Sequence, residues 1–228
     1  MLRFDDVRLK QGDFELSLDW AVGPGFTAVV GPSGSGKSTL LAAIAGFLQP
    51  VSGDILWRDA SLLSMPPARR PVGMLFQDNN LFPHLTLFQN VGLGLAPQLR
   101  LSEPQCKQVE NVLERVGLSG LMDSRPGEVS GGQQSRAALA RALIQERPVV
   151  CLDEPFAALG PGQRQEMLAL AAEMLAGRTV LLVTHDPQEA RGIAQDAIFV
   201  DGGIAAAPTR FETLLDDPLP ALARYLRR

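Results

Sequence analysis

The sequence predicts an α/β fold with an antiparallel β portion at its amino-terminal end and a helical segment inserted in its middle. Three observations carry that prediction. Apolar residues keep a strict period of two from Phe14 to Val22, a glycine-rich loop joins a short strand to an amphipathic helix at residues 27–48, and the runs from Val149 and Thr179 read as buried strands. The size agrees, because 228 residues at roughly 150 per domain leave room for one large domain or a core with a lobe.

Along the chain, Met1 to Lys10 alternates apolar and charged residues, and Phe14, Leu16, Leu18, Trp20 and Val22 form one face of a strand. Thr27 to Val30 and Gly53 to Trp57 are bounded by Gly or Pro and fit short strands beside it. Between them, Leu40, Leu41, Ile44, Phe47 and Leu48 recur at three- and four-residue spacing from Lys37 onward, a helix that Pro50 stops. Residues 80–147 turn helical in pattern, rich in Gln and Leu and punctuated by Pro83, Pro97, Pro104 and Pro126. The α/β pattern resumes with Val149 to Leu152, a helix over Gln163 to Leu175 and a strand at Thr179 to Val183. Ala197 to Val200, Asp201-Gly202-Gly203 and Ile204 onward read as a hairpin.

Composition excludes several classes of function. With 46% hydrophobic and 20% charged residues the chain can bury a core and is not a disordered tail. Its longest stretch without a polar side chain, Leu40 to Leu48, is about half of the ~20 residues a membrane helix needs. The amino terminus lacks the apolar region and cleavage site of a secretory signal, so a cytoplasmic protein is expected. Cys106 and Cys151, the two cysteines, have neither disulfide nor metal-ligand spacing. A net charge of −4 argues against nucleic acid as a partner.

The chemistry begins at Gly31-Pro32-Ser33-Gly34-Ser35-Gly36-Lys37-Ser38, which fits G-x-x-x-x-G-K-[ST] with a strand before it and a helix after it. Glycines let backbone N–H groups face a triphosphate, and the helix N-terminus adds partial positive charge. In that setting Lys37 reaches the β- and γ-phosphates, Ser38 ligates Mg²⁺ and Thr39 touches the α-phosphate. Farther on, Val149 to Leu152 leads into Asp153-Glu154, and the carboxyl end of a parallel strand faces the ligand crevice of an open sheet. Strand neighbours point to opposite faces, so the two acids are given different roles: Asp153 holds Mg²⁺, Glu154 polarises the attacking water, and Pro155 keeps Glu154 extended. Ser130-Gly131-Gly132-Gln133 stands before a helical run from Arg136 to Gln145. Either it is only a helix cap, or it serves a nucleotide held by another copy of the chain.

Taken in this order, the motifs resemble those of the ATP-binding subunits of ABC transporters over nearly the whole chain. The resemblance adds Gln77 as the Q-loop glutamine, Ser130 to Gln133 as the signature sequence and His185 as the switch histidine. It implies a P-loop NTPase (RecA-like) core at 1–79 and 148–228 with a helical subdomain at about 80–147. It also implies a head-to-tail dimer that sandwiches two ATP molecules and hydrolyses them with Mg²⁺, Gln77 sensing the metal and the attacking water and His185 holding the γ-phosphate. The expected partners are transmembrane permease subunits and, indirectly, a substrate-binding protein. The expected location is the cytoplasmic face of the inner membrane.

Leu81, Phe82, Leu85 and Phe88 within Asn79 to Leu95 are the expected docking surface, while His84 has no motif role. Phe14 is the candidate for stacking on adenine. Two positions depart from the family pattern: Gly160 stands where Asp is common, putting a contact across the dimer in doubt, and Val129 replaces Leu. Met65 to Phe82 looks most like importers of thiamine and its phosphates, and the short chain after the hairpin leaves no room for a regulatory domain. The alternatives are an importer of polyamine, iron or anion, or a nucleotide-gated module in which Gly160 keeps hydrolysis low.

Overall fold

The computed structural model describes residues 1–216 and Ala223; the end of the expected core, 217–222 and 224–228, lies outside the described residues. Strands β1 (Leu2–Gln11), β2 (Phe14–Val22), β4 (Ser52–Trp57) and β5 (Ala60–Ser61) form an antiparallel portion. Strands β3 (Gly25–Val30), β6 (Val72–Leu75), β7 (Val149–Asp153), β8 (Thr179–Val183) and β9 (Asp196–Asp201) run parallel. The two portions join through β10 (Ile204–Ala205), giving the order β5-β4-β1-β2-β10-β9-β3-β8-β7-β6. β9, Gly202-Gly203 and β10 make the expected hairpin, and β11 (Thr209–Arg210) pairs with β9.

Side-chain alternation on the parallel strands sorts the interior into two cores. Cys151, Leu181, Val183, Val29 and Ile198 face helix α1 (Lys37–Ala45) and the antiparallel strands. Val150, Leu152, Val180, Leu182 and Ala28 face the other way. That side is covered by α2 (Leu87–Gly92), α3 (Glu103–Arg115), α4 (Gly131–Ile144), α5 (Pro161–Met174) and α6 (Phe211–Asp216). The helices within 80–147 therefore share one continuous apolar cluster with the sheet: Leu87, Val109, Leu113 and Leu139 are fully buried in it. At ~1.5–3 kcal/mol per fully buried large apolar side chain, this shared cluster holds the helices against the sheet.

Helix boundaries differ from the sequence reading: α4 begins at Gly131, five residues before Arg136, where Ser130 caps it, and α5 begins at Pro161. α1 ends at Ala45, not near Pro50, because Gly46 adopts φ 90 and turns the chain. The last carbonyls of α1 meet a buried cation: Arg70, 0% exposed, donates from Nη1 to Ala43 O (2.7 Å) and Ile44 O (2.9 Å). Phe47 leaves the apolar stripe and is 61% exposed.

Candidate functional site

Four parallel strands lie side by side in the order β3-β8-β7-β6, and each delivers a candidate residue at its carboxyl end. The glycine loop follows β3, His185 follows β8, Asp153 ends β7 with Glu154 next after it, and Gln77 follows β6. Register aligns them: Val29 pairs with Val183, Val183 with Asp153, and Leu75 with Leu152. Residues 37–185, far apart in sequence, thus reach one crevice at the end of the sheet where ligands bind in open α/β folds.

The loop itself is shaped by close approach. A Cβ on Gly31 would lie 2.1 Å from the carbonyl oxygen of Val200, and one on Gly36, at φ 105, would lie 2.5 Å from the Phe14 ring. Phe14 is half-buried and its ring packs against the loop. Lys37 folds its ammonium into the loop, donating to Gly31 O and Pro32 O at 2.8 Å each. Burial holds the Lys37 pKa below its ordinary value, opposed by Glu154 and Asp153. Ser35 Oγ is buried without a partner. Thr39 is half-buried on the first turn of α1, and Ser33 and Gly34 are exposed.

Parity places Asp153 on the α1 side of the sheet with Cys151, and there Asp153 Oδ1 accepts from Ser38 Oγ at 3.2 Å. Burial raises the Asp153 pKa, partly offset by that hydrogen bond. A hydroxyl and a carboxylate this close are hard oxygen donors of the kind that hold Mg²⁺ together with phosphate oxygens. No cluster of three or more His, Cys, Asp or Glu forms a metal site among the described residues, so any metal here depends on a ligand for its remaining contacts. Burial likewise pushes the Cys151 thiol up, leaving it an inert core residue.

Glu154 corrects the sequence reading. It precedes Pro155, which favours an extended backbone, yet it adopts φ 45. The reversal is held by Glu154 N donating to Val183 O at 3.1 Å and by Ala157 N donating to Glu154 O at 3.3 Å. Such conformations cost about 1–3 kcal/mol and cluster at functional sites. The turn brings the carboxylate toward the next strand end, with Glu154 Oε2 3.8 Å from His185 Nδ1. Gln77 lies exposed in the turn after β6.

Ser130 to Gln133 form a reciprocal cap at the start of α4: Ser130 Oγ accepts from Gln133 N at 3.3 Å, and Gln133 Oε1 accepts from Ser130 N at 2.9 Å. Ser130, Gly132 and Gln133 line a cavity of about 300 Å³ with Leu159 and Gln163 that includes no residue of the 31–39 loop. The residues thus form a helix cap, and the cavity beside it takes none of its lining from the glycine loop. Of the expected docking residues, Leu81 and Phe88 pack against the core while Phe82 is 46% exposed.

The profile of the ABC transporter family matches residues 17–157, which includes the glycine loop, the Ser130 cap and both acids. The chain belongs to the ABC transporter family. This ABC chain is 55% identical to the thiamine import ATP-binding protein ThiQ of Cereibacter sphaeroides, the alignment covering 99% of each chain. It is 51% identical to that of Ruegeria sp. (strain TM1040), again over 99% of each. Among solved structures it is similar to the dimeric ATP-binding cassette MJ0796 in a post-hydrolysis state bound to ADP and Pi. There the TM-score is 0.77 and the identity 28%, with 92% of this chain and 99% of the other covered.

Several side chains that hold the site gave no motif signal. Arg141 on α4 donates to Asn80 O (2.7 Å) and Asn79 O (2.8 Å), and Asn79 Nδ2 donates to Ser135 Oγ at 3.2 Å. The turn carrying Gln77 is thereby tied to the helix that Ser130 caps. Arg164 sits in the first turns of α5, the end of a helix where a cation is disfavoured; that misplacement was a readable signal.

Proposed function

We propose that this chain is the ATP-hydrolysing subunit that energises a membrane ABC importer of thiamine or thiamine phosphates. The observation that carries the ATPase reading is the convergence of the glycine loop, Asp153, Glu154, His185 and Gln77 on four adjacent strand ends. The thiamine reading is supported by full-length similarity to proteins named for thiamine import.

In this reading the backbone N–H groups of Gly31 to Ser38 cradle the triphosphate, and Lys37 swings from its two carbonyl partners to the β- and γ-phosphates. Phe14, beside the loop, stacks on the adenine. Ser38 and Asp153 would hold Mg²⁺, and Gln77, exposed in the turn after β6, would supply a further oxygen. The chemistry such a metal would supply when bound is neutralisation of charge on the phosphate oxygens. Glu154 takes the proton of the attacking water, and His185, close to that carboxylate, hydrogen-bonds the γ-phosphate. The Ser130–Gln133 cap serves the nucleotide of a second, head-to-tail copy; the cavity beside it is lined by no residue of its own chain's phosphate loop.

No helix among the described residues is long and apolar enough to cross a membrane, so permease subunits supply the spans and this chain sits peripherally on their cytoplasmic side. A substrate-binding protein delivers the cargo to that permease. Two aromatic pairs near the Gln77 turn, Phe47 with Phe76 (6.2 Å between centroids) and Phe82 with His84 (6.0 Å), form the docking surface. The helices of 80–147 transmit motion from that surface to Ser130.

Steady-state ATPase assays on the chain co-purified with its permease test this function. Glu154→Gln is expected to retain ATP binding and lose nearly all turnover; surviving turnover rejects the assignment of Glu154. Stimulation by thiamine or its phosphates across a vitamin panel is expected, and stimulation by polyamine, iron or anion instead rejects the substrate.

A further inference from the structure

The two loops that carry Glu154 and His185 are bridged by an ion pair between two side chains that the sequence motifs do not mark. Arg164 on α5 and Glu189 on the 3-10 turn Pro187–Ala190 pair through Nη1 and Oε1, their side chains 16% and 19% exposed. Arg164 Nη2 donates to Ala157 O and to Leu159 O, both at 3.0 Å, gripping the loop that follows Glu154. On the other side, the second carboxylate oxygen of Glu189 accepts from Thr184 Oγ1 at 2.8 Å, and Thr184 immediately precedes His185. Thr184 Oγ1 in turn accepts from Asp186 N at 3.1 Å, so the backbone on both sides of His185 is held. A narrow cleft lined by Glu154, Ala157, Arg164, Thr184, His185 and Glu189 lies where these groups meet.

We propose that Arg164, Glu189 and Thr184 are positioning residues that hold the Glu154 carboxylate and the His185 imidazole in one geometry for ATP hydrolysis. The proposal rests on the roles assigned above to Glu154 and His185. Stability alone does not account for the arrangement. A cation in the first turns of a helix opposes the helix dipole, a largely buried ion pair is often no better than an apolar pair of equal volume, and Arg164 Nε is left buried without a partner. What the planar guanidinium supplies is geometry: it binds a carboxylate and two carbonyls at once, which an ammonium point charge does not. Both loops lack regular structure beyond their strand ends, where Glu154 N donates to Val183 O; the bridge ties them a second time, farther along each loop. Displacing a reacting group by ~1 Å is enough to cost about a hundredfold in rate.

The test compares Arg164→Gln, Glu189→Gln and Arg164→Lys in the full-length chain, alone and combined with His185→Ala, with melting temperature and ATP affinity measured for each. For Arg164→Gln, kcat is expected to fall about a hundredfold with KM for ATP unchanged, because the bridge does not touch the phosphate loop. Arg164→Lys recovers part of the rate, keeping the pair with Glu189 and losing the double grip on the Glu154 loop. In the His185→Ala background the Arg164→Gln penalty shrinks to the share that comes from the Glu154 loop, the mark of partly coupled residues. Should Arg164→Gln fail to fold, Glu189→Gln carries the test, since it keeps the shape and still accepts from Thr184. Wild-type kcat in both Gln variants, or penalties that simply add to that of His185→Ala, overturns the proposal. If Glu154→Gln is inactive while those variants turn over normally, only the bridge is rejected; if Glu154→Gln stays active, the reading of the site itself falls.

Discussion

Lys37 and Asp153 enter the same crevice with opposite charges, and burial shifts them in opposite directions: the lysine pKa falls and the aspartate pKa rises. Each shift disfavours the charged form that phosphate and Mg²⁺ would need, so a ligand that brings the missing countercharge is the natural remedy. The sign for stability follows from linkage. The folded-state pKa of Asp153 lies above its ordinary 3.8, so the folded chain binds more protons just above that value and loses stability as pH rises through the window. Asp153→Asn should therefore melt at a higher temperature than wild type at pH 7, with the gap closing below pH 3.8, while Mg²⁺-dependent hydrolysis is lost; thermal scans at several pH values check this. Lys37→Ala is expected to weaken ATP binding about tenfold to a hundredfold, the range for charge-assisted hydrogen bonds, as read by equilibrium titration. At this scale the sequence was informative about identity and less so about direction. Asp153 sits on the face its strand parity assigns, whereas Glu154 departs from the extended backbone that Pro155 favours, because Val183 O and the 154–157 turn impose φ 45.

Helix ends show how elements depend on partners outside their own segment. The apolar spacing that defines α1 continues through Phe47 and Leu48, but Gly46 and Arg70 close the helix at Ala45. Arg70→Ala removes two donors from buried carbonyls and leaves a void. At ~1–3 kcal/mol per unsatisfied buried group, a loss of about 3 kcal/mol is expected in urea denaturation. At the start of α5, Gly160 is an N-cap without a side chain, in extended geometry, and open space surrounds its missing Cβ. Gly160→Asp should then be accommodated and stabilise the chain by about 0.3 kcal/mol, since Asp exceeds Gly as a cap only slightly; the same denaturation measurement reads it.

For the whole molecule, a capped helix whose adjoining cavity takes no residue from the phosphate loop makes sense if two copies face each other. Glu154→Gln with Mg²⁺-ATP is expected to run at twice the monomer mass in size-exclusion chromatography and to return to monomer with ADP, because the γ-phosphate supplies the difference in affinity between open and closed forms. A monomer under both conditions rejects the sandwich. What the sequence determined by itself was local: strands with a period of two, the glycine loop with its helix, the buried β7 leading to Asp153, and the hairpin at Gly202-Gly203 all follow from side-chain spacing and backbone preference within a few residues. Only the tertiary structure decided the rest. Strand order gathers residues 37–185 at the carboxyl ends of adjacent strands, and hydrogen bonds between segments set the reversal at Glu154, the end of α1 and the Arg164–Glu189 bridge. Those partners lie 25 or more residues apart in the last two cases, and no local periodicity encodes a contact over that distance.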